Sequence, residues 1–282
     1  MALKRDFTTV NVYFAAISSA IGSGWLFAPY YAAKIAGPLA IVAWIAAALL
    51  IFPILLSFMM MATRYPVTGS LVRFTQATHG NLLSFMCGWL TWLAAVMVPA
   101  VETMASLDYS SYFFPSLVHK VNGNDHLTLI GIAWACLIMV FFMITNLIGI
   151  KLVAKINSTV SSLKIIIPGI FIVVGLCYLH PSNFHISHVN SQDVNSIFQA
   201  IATGGILFSL IGFRTVFEMS GEIKNPKKTL FRGMLSGFFT YVAIYILLQI
   251  AFVGILNPKD FAGGWQHLNL MGGDSDSPLI SI

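Results

Sequence analysis

The sequence predicts an all-α integral membrane protein of about seven transmembrane helices, the first and the sixth of them broken. Three observations carry that expectation. Hydrophobic residues make up 57% of the 282 and charged residues only 9%, against about 25% charged in a soluble domain. Seven apolar stretches reach the roughly 20 residues needed to cross a bilayer. Glycine interrupts two of those stretches, at Ile21-Gly22-Ser23-Gly24 and near Ser209-Leu210-Ile211-Gly212.

In chain order the stretches cover residues 10–33, 39–62, 82–107, 127–150, 160–179, 197–220 and 234–256. The chain opens on Lys4-Arg5-Asp6, and small residues follow at Ser18-Ser19-Ala20. That order resembles a secretory leader, but the apolar run continues to Tyr31, which suits a first span. Cys87, Cys136 and Cys177 fall in separate spans, where they read as packed core residues rather than disulfides or metal ligands. The net charge of +5 carries no argument for nucleic acid, because the basic residues gather at the ends of apolar stretches, as membrane topology requires.

With the N-terminus in the cytoplasm, eleven of the fifteen lysines and arginines fall on the inner side. They are Lys4, Arg5, Arg64, Arg73, Lys151, Lys155, Lys164, Lys224, Lys227, Lys228 and Arg232. Lys34, Lys120 and Lys259 fall outside and Arg214 within the sixth span. The bias assigns a multi-pass protein of the cell membrane, expected to be a bacterial inner membrane, with its N-terminus in the cytoplasm. After residue 256 the chain turns polar, and the closing Ser277-Pro278-Leu279-Ile280-Ser281-Ile282 reads as the start of a further span. A C-terminally truncated protein, or a fragment of one, is expected on that ground.

Backbone polar groups cannot stay unpaired in hydrocarbon, so a break inside a span must line a cavity or be covered by protein. Glycines also serve close helix packing, and either role fits Gly22-Ser23-Gly24 alone. Breaks at corresponding positions in two halves of a chain mark a transporter's binding site.

Four stretches together carry a resemblance. They are Gly22-Ser23-Gly24-Trp25-Leu26-Phe27; Arg64-Tyr65-Pro66-Val67-Thr68-Gly69-Ser70; Asn146-Leu147-Ile148-Gly149-Ile150-Lys151 with Lys155-Ile156-Asn157 and Lys164; and Gly212-Phe213 with Gly221-Glu222-Ile223-Lys224-Asn225-Pro226-Lys227-Lys228-Thr229. In this order and spacing the chain resembles amino acid permeases of the amino acid–polyamine–organocation superfamily, over essentially its whole length. The resemblance implies an inverted-repeat fold of five plus five helices in a single transmembrane domain, residues 1–282. The first repeat would occupy residues 1–180 and an incomplete second repeat residues 196–282.

The resemblance implies secondary active transport of amino acids, as proton-coupled symport or exchange. The alternative is a truncated or permease-derived protein that binds or senses without transporting. The N–H groups following Gly22, Ser23 and Gly24 would suit a substrate carboxylate. Carbonyls from Phe208 through Ser209 to Ile211, beside Gly212, would suit an ammonium group. Phe208 or Phe213 would be a gate, or else ordinary core. Relatives with proton coupling can carry a lysine where Lys164 stands, and an amine taken out of water gives up its proton more readily. The other role for Lys164 is snorkelling to the cytoplasmic interface. Many family members carry glutamate where this chain has Arg214. Arg214 and Glu218 lie i,i+4 on one helix face, as a side-chain clamp for an acidic substrate or as an internal pair. Glu102 is a further intramembrane carboxylate, near the outer end of the third span.

The expected partners are an amino acid, protons and the lipid bilayer, and a homodimer is compatible with the sequence. No cofactor, metal or nucleic acid is implied, and no enzyme motif appears. His185-Ile186-Ser187-His188 reads as a solvated loop. Asn157-Ser158-Thr159 lies on the cytoplasmic side, where the glycosylation pattern has no meaning. Gly233 and Gly237, four apart at the head of the seventh span, read as a close-packing face.

Overall fold

A computed structural model describes residues 7–22, 24–111, 113–121, 124–148, 150–185, 194–261 and 263–268. Ser23, Lys4, Arg5, His188 and the closing residues 277–282 lie outside them. The architecture is all-α apart from one short hairpin. Two compact units divide it: one draws on Met1–Thr91 and Lys164–Leu268, the other on Trp92–Leu163.

In the first unit, α1 (Thr9–Ala20) starts at Thr8, whose side chain accepts from the Asn11 N–H at 3.4 Å. It stops where Gly22 begins the glycine run, and α2 (Gly24–Ala36) restarts the helix. Gly37, at φ 53°, and Pro38 end α2 in a short 3-10 turn. Then α3 (Ala40–Arg64) runs until the Tyr65-Pro66 pair closes it. Its buried face reads Ala40, Ala43, Ala47, Ile51, Leu55, Met59 and Ala62, the three- and four-residue spacing of a packed helix. A short helix, α4 (Ser70–His79), follows, bracketed by Gly69 and Gly80 in left-handed conformations, and α5 (Asn81–Ser111) carries the chain on.

The second unit contains most of α5 and a hairpin of β1 (Val118–Val121) and β2 (Asn124–Leu127). It also holds α6 (Leu129–Ile148), capped by Thr128, whose hydroxyl accepts from the Gly131 N–H at 3.0 Å. Then α7 (Ile150–Cys177) returns to the first unit. Glu102 lies half-buried on α5.

The sixth stretch divides into α8 (Val194–Thr203), α9 (Ile206–Leu210), a 3-10 turn (Ile211–Phe213) and α10 (Arg214–Glu218). The pair Val194–Thr203 and Ile206–Glu218 is bent by 59°. The bend lies at Gly204-Gly205, ahead of the expected Ser209–Gly212, because Gly205 adopts φ 81°, which ends a helix turn outright. Last, α11 (Pro226–Ile255) opens with proline at its first position.

Among the described residues three helical stretches are long and apolar enough to span a bilayer: Gly24–Arg64, Asn81–Ser111 and Pro226–Ile255. The bent pair makes a fourth, and Leu129–Ile144 and Ser162–Cys177 are apolar but shorter. Large apolar side chains face outward, Leu82 at 74% and Leu129 at 86% exposure, as a lipid solvent permits. Cys136 and Cys177 share that exposure and all three cysteines are free, so the expected core placement fails for those two. Lipid-facing positions tolerate a small thiol without packing around it.

One end of the first unit gathers basic residues. The Phe7 N–H donates to the Glu222 carbonyl at 3.1 Å, and the Lys224 N–H returns to the Phe7 carbonyl at 3.0 Å. The Gly69 N–H donates to the Glu218 carbonyl at 3.0 Å, and the Ser220 hydroxyl to that of Val67 at 2.7 Å. These bonds bring the chain start, the α3–α4 turn and the α10–α11 turn together, with Arg64, Arg73, Lys224, Lys227, Lys228 and Arg232 on or next to them. At another junction of the unit Asn183 ties down the end of α11 by donating to the Val253 and Leu256 carbonyls at 2.9 and 2.7 Å.

Candidate functional site

The two broken segments meet. A side-chain carbon placed on Gly24 would sit 2.5 Å from the Ser209 hydroxyl oxygen, so the start of α2 lies against α9. One placed on Gly212 would overlap the Ser19 carbonyl and come within 2.6 Å of Ala20 Cα. One on Gly205 would touch Ala28 at 3.4 Å. Three close approaches therefore join the segments, and only glycine allows the tightest of them. Ser209 is buried, its hydroxyl turned back to the Gly205 carbonyl at 2.9 Å.

A single ridge of α11 tracks the first broken helix. Gly233, Gly237, Tyr241, Tyr245 and Gln249 recur every fourth residue and so share one face. Gly233 abuts Thr9 and Val12, and Gly237 abuts Ala16, where α1 is intact. Where the helix is broken the ridge changes to hydrogen-bonding side chains. The Tyr245 hydroxyl donates to the Ala20 carbonyl at 2.9 Å. The Tyr241 hydroxyl donates to the Leu210 carbonyl of the second break at 3.2 Å. The Gln249 amide donates to the Pro29 carbonyl at 3.1 Å and accepts from the Trp44 indole at 3.0 Å. Trp44 stacks on Tyr245 with ring centroids 4.6 Å apart. All four side chains are fully buried.

Three of the last four carbonyls of α1 have donors, and two of those, Ser18 and Ala20, are met by side chains of other helices. That of Ile17 accepts the Ile21 N–H at 2.9 Å. That of Ser18 accepts the half-buried Lys164 ammonium at 3.0 Å. That of Ala20 takes Tyr245 and the Gly22 N–H at 3.2 Å. A cation is favourable at the negative end of a helix, and the first turn of the 13-residue α2 offers backbone N–H groups with the opposite sign.

The sequence-derived residues distribute as follows. Gly22, Gly24, Ser209, Ile211 and Gly212 lie at the two meeting breaks, while Ser23 is outside the described residues. Of the carbonyls expected to face an ammonium group, that of Leu210 is already held by Tyr241. Phe208 is half exposed, whereas Phe213 is buried with Phe58 and Phe217 in an aromatic cluster. Among the described residues Arg214 and Glu218 form no ion pair. Trp44, Gly204, Gly205, Tyr241, Tyr245 and Gln249 were not picked out from sequence. The available signals were the Gly204-Gly205 pair and a glutamine inside an apolar span.

Comparison with known proteins decides the family. The amino acid permease profile matches residues 7–273. The chain belongs to the amino acid permease family. It is 38% identical over 276 residues to the glutamate/serine transporter AimA of Bacillus subtilis (strain 168), covering 95% of this chain and 50% of that protein. It is 27% identical over 265 residues to the aspartate-proton symporter of the same organism, covering 94% and 51%. It is 27% identical over 262 residues to that organism's serine/threonine exchanger SteT, covering 92% and 57%. These relatives are permeases, not enzymes. The chain spans about half the length of the curated relatives it matches.

Two experiments test the geometry of the breaks. Tyr245→Phe keeps the stack on Trp44 but removes one of the two donors to Ala20. A loss of about 0.5–1.5 kcal/mol in unfolding free energy is expected, together with weaker amino acid binding; unchanged binding would detach Tyr245 from the site. Gly24→Ala should be damaging alone and substantially rescued by Ser209→Ala. Removing the hydroxyl leaves Ser209 Cβ at 3.5 Å, an ordinary contact. Additive losses in this double-mutant cycle would contradict the contact.

Proposed function

We propose that this permease chain holds an amino acid between its two breaks and takes part in its secondary active transport. The observation that carries the proposal is the meeting of two interrupted helices, sealed by glycine contacts, in a member of the amino acid permease family. The N–H groups around Gly22 and Gly24 read the carboxylate, and the carbonyls of Phe208, Ser209 and Ile211 read the ammonium. An inverted repeat over residues 1–180 and 196–282, with seven spans, accounts for a break opening each half. Phe208 serves as the gate.

Lys164 is the proton carrier, as symport with protons requires. Its bond to the Ser18 carbonyl, in the last turn of α1, supports this. Deprotonation would weaken that bond and loosen the end of α1, which links proton movement to the geometry of the first break. Arg214, without an ion pair to Glu218, clamps an acidic side chain. The names of the glutamate/serine transporter and the aspartate-proton symporter agree with an acidic substrate.

The test is uptake of labelled glutamate, aspartate and serine by inverted and right-side-out vesicles under imposed pH gradients. Saturable uptake that follows the gradient supports proton coupling. Uptake that needs internal amino acid and ignores the gradient assigns exchange. Saturable binding with no uptake under either condition assigns a permease-derived binding protein.

Orientation has its own test. Reporter fusions at Lys155 and Lys228 are expected in the cytoplasm, and fusions at His185 and Lys259 outside. The clustering of Arg64, Arg73, Lys224, Lys227, Lys228 and Arg232 supports that placement. All four labels reversed would overturn it.

A further inference from the structure

One cavity of the first unit lies away from the breaks. It encloses about 1180 Å³ where the end of α3, the α3–α4 turn, α4 and Gly221 come together. Arg64 and Arg73 line it, and none of its lining residues is acidic. Neither Glu218 nor Glu222, which flank Gly221 in the chain, is among the residues that line it. Among the described residues the Arg64 side chain has no hydrogen-bond or ion-pair partner. Arg73 spends one donor on Gln76 at 3.2 Å. The rest of the wall is mostly apolar, including Met60, Met61, Val67 and Phe74.

A second feature leads to the same place. Along α3 an exposed stripe runs Val42, Ile45, Leu49, Pro53, Ser57 and Met60 at helical spacing and ends on Arg64. The stretch from Pro53 to Arg64 rises about 16 Å, close to the depth of one leaflet. Tyr65, at 63% exposure, stands where interfacial aromatic residues are found.

We infer that this cavity is a binding site for an anionic phospholipid, its phosphate held by Arg64 and Arg73 and its acyl chains laid along the α3 stripe. A free phosphate would use the two guanidinium groups but not the stripe. A zwitterionic lipid would use the stripe but bring its own cation to the arginines. The anionic lipid satisfies both, at the end of the unit where the basic residues gather. The site is separate from the breaks and stands whether or not the chain transports.

The test is native mass spectrometry of the purified chain titrated with phosphatidylglycerol, phosphatidylcholine or sodium phosphate. Each arginine near the headgroup contributes about fivefold, so phosphatidylglycerol should be retained over phosphatidylcholine by more than about tenfold. Arg64→Gln with Arg73→Gln should remove the preference, while the paired lysine substitutions keep most of it. Arg232→Gln, at the same end but outside the cavity, should leave it unchanged. A photoreactive phosphatidylglycerol should label peptides within residues 53–78 of the unsubstituted chain, a readout independent of any variant's folding. Equal retention of both lipids, displacement by millimolar phosphate, an equal loss in Arg232→Gln, or labelling elsewhere would each overturn the inference.

Discussion

Gly212→Ala is expected to abolish amino acid binding and to lower stability by about 1–3 kcal/mol, the usual cost of overpacking. The new methyl would meet backbone rather than a movable side chain: the Ser19 carbonyl, with Ser19 C at 2.7 Å and Ala20 Cα at 2.6 Å. Nothing there can rotate away, so the last turn of α1 has to shift. That turn carries the two carbonyls held by Lys164 and Tyr245, and the shift would disturb both bonds together. Gly169→Ala is the matched control. An added carbon there meets nothing within 4 Å, and alanine is the better helix former, so that change should be neutral or mildly stabilising. Thermal unfolding and equilibrium binding of the two variants decide the matter. Binding by Gly212→Ala within twofold of the unsubstituted chain would show that the breaks do not form the site.

Lys164→Ala should reduce pH-gradient-driven uptake to background while changing the amino acid dissociation constant by less than about tenfold, or 1.4 kcal/mol. The ammonium donates to the Ser18 carbonyl, two residues before the end of α1. Its removal takes away a charge that can come and go, and leaves Gly22, Gly24 and Ser209 in place. Counterflow exchange of labelled for unlabelled substrate, which needs no gradient, should survive. Gradient-driven uptake persisting in the alanine variant would end the proton-carrier role. Loss of binding together with uptake would make Lys164 a structural prop for α1.

The sequence made the membrane class and the first break legible because both follow from composition and local chemistry. Low charge over long apolar runs leaves no soluble alternative, and Gly22-Ser23-Gly24 weakens a helix wherever it falls. The second break was expected near Ser209–Gly212, where the α-helix does give way to a 3-10 turn at Ile211–Phe213, but the 59° bend lies earlier, at Gly204-Gly205. Apolar character continues through both sites, and the left-handed φ of Gly205 makes the sharper turn. The hairpin after α5 was not legible, because its strands are four residues each and mostly polar. The packing of Gly233 and Gly237 was legible from spacing. Its continuation through Tyr241, Tyr245 and Gln249 was not. Those side chains find partners at Leu210, Ala20 and Pro29, up to 225 positions away in the chain, and periodicity within one helix says nothing about which helix its face meets.

The two breaks are proposed to read, together, the amino and carboxyl groups of a free amino acid. Competition binding on the purified chain in lipid nanodiscs tests this most directly, with a labelled amino acid displaced by the same compound free, N-acetylated or as its methyl ester. Either blocked form removes one charge that one break is proposed to recognise, and each should compete at least about a hundredfold more weakly, the ratio set by about 2.7 kcal/mol for a charged group's hydrogen bonds. Blocked and free forms competing equally would contradict the claim.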